Sequence, residues 1–113
     1  MHEMSIVEAL LSQIRQETCN YPEKHVSNVC VRIGALRQVI PETLTFCFVT
    51  AVRGTSLDGC RLTIEQLPAE ARCRKCSVTF HVEENWFQCP RCGELGSDLL
   101  TGNELELTSL ELE

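Results

Sequence analysis

Four of the eight cysteines form two short knuckles, Cys73-Arg-Lys-Cys76 and Cys89-Pro-Arg-Cys92, with twelve residues between them. A Cys-x-x-Cys turn aims two thiolates at one point. Two such turns facing each other offer four sulfurs, the tetrahedral set that suits a structural zinc ion. Iron in a rubredoxin-like site is the alternative, since Cys-Pro-x-Cys-Gly suits either metal. A thioredoxin-like redox pair fits less well: it needs one Cys-x-x-Cys after a strand and opening a helix, whereas both pairs here are flanked by turn-like residues.

The amino terminus, Met1-His2-Glu3, is the second place where chemistry is expected. It places the α-amine of Met1, the amide nitrogens of His2 and Glu3 and the His2 imidazole within reach of one ion. Fused chelate rings of this kind suit Ni²⁺ or Cu²⁺, which accept planar nitrogen donors that zinc does not favour. Binding through amide nitrogen also requires loss of a proton, so such a site releases metal as pH falls. The ordinary reading of a histidine at position 2 is a solvated tail residue. Against it, the segment abuts a helix start.

Composition bounds the partners. The chain has 113 residues, 43% hydrophobic, with a formal net charge of -6. That length fits one α/β domain plus a small metal-held module. No apolar run approaches the roughly 18 residues of a membrane span. No basic region followed by an apolar stretch opens the chain, so no signal peptide is expected. A cytoplasmic location follows as an expectation. In that reducing setting cysteines serve as metal ligands or apolar packing, not disulfides. Residues 69–97 carry Arg72, Arg74, Lys75 and Arg91 against Glu70, Glu83, Glu84 and Glu94. That balance argues against a nucleic-acid grip, which needs excess positive charge.

The elements that must position these groups follow from periodicity. Met4, Val7, Leu10, Leu11, Ile14 and Thr18 give an amphipathic helix over residues 4–20. Ser5-x-x-Glu8 reads as a capping box that starts it near residue 6, and Tyr21-Pro22 ends it. Val29, Val31 and Ile33 alternate with Asn28, Cys30 and Arg32 in a half-buried strand stopped by Gly34. Pro41 opens a second helix with Leu44, Cys47, Phe48, Ala51 and Val52 on its apolar face, and Gly54 caps it. Cys60, Leu62 and Ile64 alternate as a second strand that ends at Pro68.

Within the metal module Val78, Phe80 and Val82 alternate, and Trp86 and Phe87 are expected to cover the metal site or its hairpin. Leu99-Leu100 and Leu105-Glu106-Leu107 flank a turn at Thr101–Glu104, as strands able to rejoin the first sheet. Apolar positions change parity between Leu107 and Leu110, which predicts a β-bulge near Thr108-Ser109. The expected fold is α+β: two helices packed on a small mixed β-sheet, with an inserted Cys₄ zinc-ribbon domain. Residues 1–68 plus 98–113 form the α/β domain and residues 69–97 the zinc-binding domain.

The whole constellation resembles the HypA/HybF family of hydrogenase-maturation nickel metallochaperones. The resemblance rests on Met1-His2-Glu3 with the helix after it, Val31-Arg32-Ile33-Gly34, and Pro41-Glu42 before Leu44-x-Phe46-x-Phe48. It continues through the two knuckles with Gly93 and Gly102-Asn103-Glu104-Leu105 to Leu110-Glu111-Leu112-Glu113. It implies a non-enzymatic nickel carrier that delivers Ni²⁺ to the large subunit of [NiFe]-hydrogenase alongside a GTPase nickel-insertion partner. Some members also serve urease maturation, which brings urease accessory proteins into view as partners. Carried over by position, Met1, His2 and Glu3 hold nickel, with His2 the essential ligand, and Cys73, Cys76, Cys89 and Cys92 hold structural zinc. Some members use an Asp between the first strand and second helix as a further nickel ligand. Here Ile40 falls near that place, and Glu42 is the nearest acid. The oligomeric state is open, a homodimer included.

The rival class is a zinc-ribbon module that binds protein or nucleic acid. A thiol–disulfide enzyme is a second rival. Cys19, Cys30, Cys47 and Cys60 lack Cys-x-x-Cys partners and read as packing residues. His25 and His81 read as surface residues, with His81 able to tune the metal site if it lies near. Glu83-Glu84 reads as a solvated turn. No nucleophile–base pair and no phosphate-binding glycine loop is visible.

Overall fold

The computed structural model describes residues 3–83 and 86–113. In chain order its elements are α1 (Glu3–Thr18), β1 (Val26–Gly34), a 3₁₀ turn (Ala35–Arg37), α2 (Pro41–Val52), β2 (Arg61–Leu67), β3 (Glu70–Cys73), β4 (Thr79–His81), β5 (Ser97–Thr101) and β6 (Leu105–Leu112). The strands make two three-stranded sheets, ordered β2-β1-β6 and β4-β3-β5. Contacts divide the chain into two units, one of residues 1–32, 39–65 and 106–113, the other of residues 33–38 and 66–105.

The first unit is built on the helical periodicity. Ile6, Val7, Leu10, Leu11 and Ile14 of α1, Val26, Val29 and Val31 of β1, and Leu44, Phe48 and Val52 of α2 are all buried. Pro41 stands in the first turn of α2. There its missing N–H costs nothing and its fixed φ favours the helix. Gly54 takes a φ of 78° just past the C-cap Arg53. Helix α1 starts at Glu3 rather than near residue 6. Burial of Ile6 and Val7 holds its first turn, so Ser5 and Glu8 are exposed positions inside the helix rather than a capping box. Met4, expected in the apolar stripe, is exposed.

The first sheet is mixed. Thr63 Oγ1 donates to Asn28 Oδ1 and Arg32 Nε to Glu65 Oε2, so β1 and β2 run in the same direction, as the crossover through α2 requires. His25 and Glu113 exchange both backbone hydrogen bonds, which sets β6 antiparallel to β1. The parity change in β6 is present: Leu105, Leu107, Leu110 and Leu112 are half-buried while Thr108 and Ser109 are exposed. It is not the one-strand bulge expected there, which would offset the register by one residue. The offset of the His25–Glu113 pair recurs where Gly34 N–H donates to Glu104 O. Strand β1 changes parity as well, between Val26 and Val29, so both strands slip together. The register shift that does occur lies between β3 and β5, where Glu70 faces Thr101 and Ala71 faces Leu99, leaving Leu100 extra.

Strand β5 therefore corrects a second expectation. Leu99-Leu100 pair with β3 in the second sheet and do not rejoin the first. The second unit accordingly reaches Leu105 instead of stopping at residue 97, and it also takes in residues 33–38. Its core is small: Ala69, Ala71, Cys73, Phe80, Val82 and Cys89, with Leu36, Cys76, Val78 and Phe87 packed against it. Trp86 is 66% exposed and does not cover this core, whereas Phe87 does.

Two glycines close this unit. A Cβ on Gly34 would lie inside van der Waals contact of the Gly102 carbonyl group, and one on Gly102, at φ 123°, would lie 2.7 Å from Ala69 Cα. Hydrogen bonds from Leu36 N–H to Gly102 O and from Gly102 N–H to Glu104 Oε1 fasten the same stretch. The obstacles are backbone atoms, which cannot rotate away. Gly34→Ala should therefore lower stability by about 3 kcal/mol or more, read as a shifted urea midpoint. An unchanged midpoint would contradict this close approach.

Candidate metal centre

Each knuckle is set by the same backbone pattern. Ser77 N–H donates to Cys73 O and Gly93 N–H to Cys89 O, while Cys73 N–H donates to Val78 O and Cys89 N–H to Glu94 O. Ser77 and Gly93 occupy equivalent places, four residues past the first cysteine, and both are left-handed, with φ of 64° and 76°. Glycine reaches that conformation freely, and serine only at some cost. The first knuckle sits between β3 and β4, and Arg74 N–H is tied to Gly96 O.

The result is a cluster in which the sulfurs of Cys73, Cys76, Cys89 and Cys92 all lie within 4.8 Å of one another. Two edges that cross between knuckles measure 3.5 Å (Cys73–Cys92) and 3.6 Å (Cys76–Cys89). A tetrahedral ion with metal–sulfur bonds of about 2.3 Å needs sulfurs about 3.8 Å apart. The donor set and spacing fit such an ion, and among the described residues no His, Asp or Glu side chain joins the group.

Amide donors converge on the first cysteine of each pair. Cys76 N–H approaches Cys73 Sγ at 3.5 Å, and the N–H groups of Arg91 and Cys92 each approach Cys89 Sγ at 3.4 Å. The Cys76 amide draws the Cys73 thiol below its ordinary range against the opposing effect of burial. Burial pushes the Cys89 thiol up, but the Cys92 and Arg91 amides and the neighbouring sulfurs outweigh it and bring it down to about 6. At Cys92 the Glu94 amide pulls down, while burial and the sulfurs of Cys73, Cys89 and Cys76 push it up to about 12. An ion held by all four sulfurs would have to displace the Cys92 proton.

The sign for acid follows. A depressed thiol stabilises the fold above its unfolded value and loses that contribution as pH falls through its folded value. Bound metal lowers these values further. Protons compete with a bound ion for the four sulfurs, so acid should release metal from the cluster, with β3, β4 and β5 losing protection in the same step. Chelator-detected release that grows as pH rises, or that leaves β3, β4 and β5 protected, would contradict this.

The other expected site residues fall as follows. Met1 and His2 lie outside the described residues, as does Glu84. Glu3 is the first residue of α1 and half-buried. Ile40 is the exposed N-cap of α2, without a side-chain cap, and Glu42 is exposed in its first turn. Cys60 is buried, and burial pushes its thiol up, as expected of a packing residue. Cys30 and Cys47 are half-buried, whereas Cys19 is exposed rather than packed. His81 is exposed and lies outside the four-sulfur group, lining a cleft of about 200 Å³ with Trp86 and Cys89. Two contributors escaped the sequence reading. Ser77 could have been found by its parity with Gly93. Leu36 could not, because its packing partners lie more than thirty residues away in sequence.

The family model described as "Hydrogenase/urease nickel incorporation, metallochaperone, hypA" matches residues 1–112. The chain belongs to the HypA family. It is similar to the hydrogenase maturation factor HypA of Geotalea uraniireducens, 41% identical over 113 residues, covering 100% of both chains. The HypA of Desulfitobacterium hafniense is 40% identical over 113 residues, covering 100% of this chain and 99% of the relative. Among solved structures, that of the nickel metallochaperone HypA from Helicobacter pylori superposes with a TM-score of 0.68 at 25% identity, covering 99% of this chain and 97% of that one. A second HypA solution structure gives a TM-score of 0.70 at 25% identity, covering 100% and 97%. HypA family membership agrees with the α+β architecture and with the four-cysteine cluster, and among the described residues no helix is long and apolar enough to cross a membrane.

Proposed function

We propose that this chain is a nickel carrier, not an enzyme, that works in the cytoplasm to deliver Ni(II) for maturation of [NiFe]-hydrogenase. The observation that carries this reading is the family match, which begins at residue 1 and runs to residue 112. Nickel is cargo. It binds at the amino terminus through the Met1 α-amine, the amide nitrogens of His2 and Glu3 and the His2 imidazole, with the Glu3 carboxylate available beside them. Donors on one terminal segment can be peeled away stepwise by an acceptor, which suits a carrier that must hold an ion and then release it. The acceptor is the hydrogenase large subunit, reached together with a GTPase nickel-insertion partner. Urease maturation, through its accessory proteins, is the second outlet.

Cys73, Cys76, Cys89 and Cys92 would hold zinc. Four thiolates leave no open coordination position, so zinc there would act as a cross-link between the knuckles. The proposal is tested by equilibrium dialysis of untagged protein against Ni(II) in the presence of one zinc per chain. One further Ni(II) per chain is expected, with the zinc retained. Failure to bind nickel, or nickel that displaces the zinc, would contradict the carrier reading.

A further inference from the structure

One residue of the four-cysteine cluster is open to solvent. Cys73 and Cys89 are buried and Cys76 is half-buried, whereas Cys92 is exposed. Oxidants reach accessible thiolates first, so Cys92 is the point of entry. Its sulfur lies 3.5 Å from that of Cys73, and Cys76 lies 3.6 Å from Cys89. Both close pairs cross from one knuckle to the other. Disulfide sulfurs sit about 2.05 Å apart, so each pair must close by about 1.5 Å. Side-chain torsions can supply a movement of that size. Cys19 is exposed as well but stands outside the group, with no sulfur there to resolve it.

We propose that Cys92 is an oxidation site, at which hydrogen peroxide converts the cluster from a metal-holding state to one cross-linked by a Cys73–Cys92 disulfide. The Cys92 thiolate attacks one peroxide oxygen. The O–O bond breaks, hydroxide leaves, and Cys92 becomes a sulfenic acid, oxidised by two electrons. The Cys73 thiolate then attacks the Cys92 sulfur. The S–O bond breaks, a second hydroxide leaves, and the S–S bond forms. Two protons from solvent turn both hydroxides into water. A second peroxide closes Cys76–Cys89 in the same way. With two of its four thiolates spent, the cluster no longer surrounds an ion. The new bond ties the same two knuckles that an ion would tie, so the second unit gives up metal and keeps a cross-link. A bond inside one knuckle would leave the two unconnected. A small thiol reductant reverses the change by exchange. The inference rests on the zinc-holding reading of the cluster and is independent of nickel at the amino terminus.

The test uses the full chain carrying Cys19→Ser, which removes the exposed thiol outside the cluster, loaded with one zinc per chain in air-free buffer. Hydrogen peroxide is added, zinc release is followed with a chelating dye, and the product is alkylated and digested without reduction. Trypsin cuts after Arg72, Arg74, Lys75 and Arg91, so Cys73–Cys92, Cys73–Cys76 and Cys89–Cys92 bonds give different peptide masses. Zinc release is expected to track the Cys73–Cys92 peptide, and dimedone is expected to trap sulfenic acid first at Cys92. Cys92→His keeps four donors for zinc but removes the accessible sulfur, and its release by peroxide should be about tenfold slower. Bonds within one knuckle as the main product overturn the inference. So does a Cys92→His protein that releases zinc as fast as its parent, or a parent that keeps its zinc through excess peroxide. Where Cys92→His holds no zinc, first trapping at any cysteine other than Cys92 in the parent overturns it instead. A parent that takes up no zinc before oxidation overturns the zinc reading, and the peptide masses of the oxidised chain still decide the pairing.

Discussion

Replacing Cys73 with alanine is expected to abolish metal binding at the four-sulfur cluster and to unfold the second unit while the first remains folded. The second unit cannot stand on its apolar core. That core has six buried side chains, of which Cys73 and Cys89 are themselves metal ligands in this reading and Ala69 and Ala71 bury little area. Segments near this size usually need a metal or disulfides to fold. Structural zinc sites supply about 10–16 kcal/mol in small peptides, far more than such a core can replace. Amide exchange in β3, β4 and β5 should accelerate by about a thousandfold or more. The amides of Gly34 and Leu36 should follow, because their acceptors are Glu104 O and Gly102 O. Amides of α1 and α2 should stay protected by Ile6, Val7, Leu44 and Phe48. Cys60→Ser, away from the cluster, serves as the control and keeps its metal. Continued protection of β3 in the Cys73 variant would mean that the cluster is not what holds this unit.

The second large effect lies at the other end of the chain. His2→Ala should remove nickel binding and leave the metal in the four-sulfur cluster untouched, because the two donor sets share no residue. A Gly-Ser extension before Met1 should do the same. It leaves the imidazole in place but converts the α-amine into an amide and moves the free amine out of the chelate. The loss is expected to be about a hundredfold or more, the scale on which removing even a supporting group weakens a metal site. Thermal unfolding of both variants should match wild type within error, since both leave Ile6, Val7, Leu10, Leu11 and Ile14, the buried residues of α1, unchanged.

The fold was largely legible where periodicity and punctuation agreed. Pro41 and Gly54 bracketed α2, Gly34 closed β1, and the paired Cys-x-x-Cys spacing located the cluster before any geometry was known. Errors arose where partner choice mattered more than pattern. Leu99-Leu100 read as a strand and formed one, but nothing local told it to pair with Glu70–Cys73 rather than with β1. The parity change at Thr108-Ser109 was visible, yet only the matching slip in β1 shows that both strands share it. Helix α1 began early because tertiary burial of Ile6 and Val7 outweighed the Ser5-Glu8 capping signal. Trp86, expected to cover the metal site or its hairpin, is exposed and lines an open cleft beside Cys89 rather than packing on the small core, as Phe87 does. At the candidate site the clustering of the four cysteines was readable from spacing, but the donors that set their ionisation were not, since the amides of Cys76, Arg91 and Cys92 act through turn geometry.

The most direct measurement is the absorption and X-ray absorption spectrum of Ni(II) bound to untagged protein that starts at Met1, compared with His2→Ala. Planar, low-spin nickel with only nitrogen and oxygen neighbours and an imidazole among them is expected in the wild type, and no bound nickel in the variant. Nickel found with sulfur neighbours, or bound equally well by the variant, would place the cargo at the cysteines and contradict a terminal carrier site.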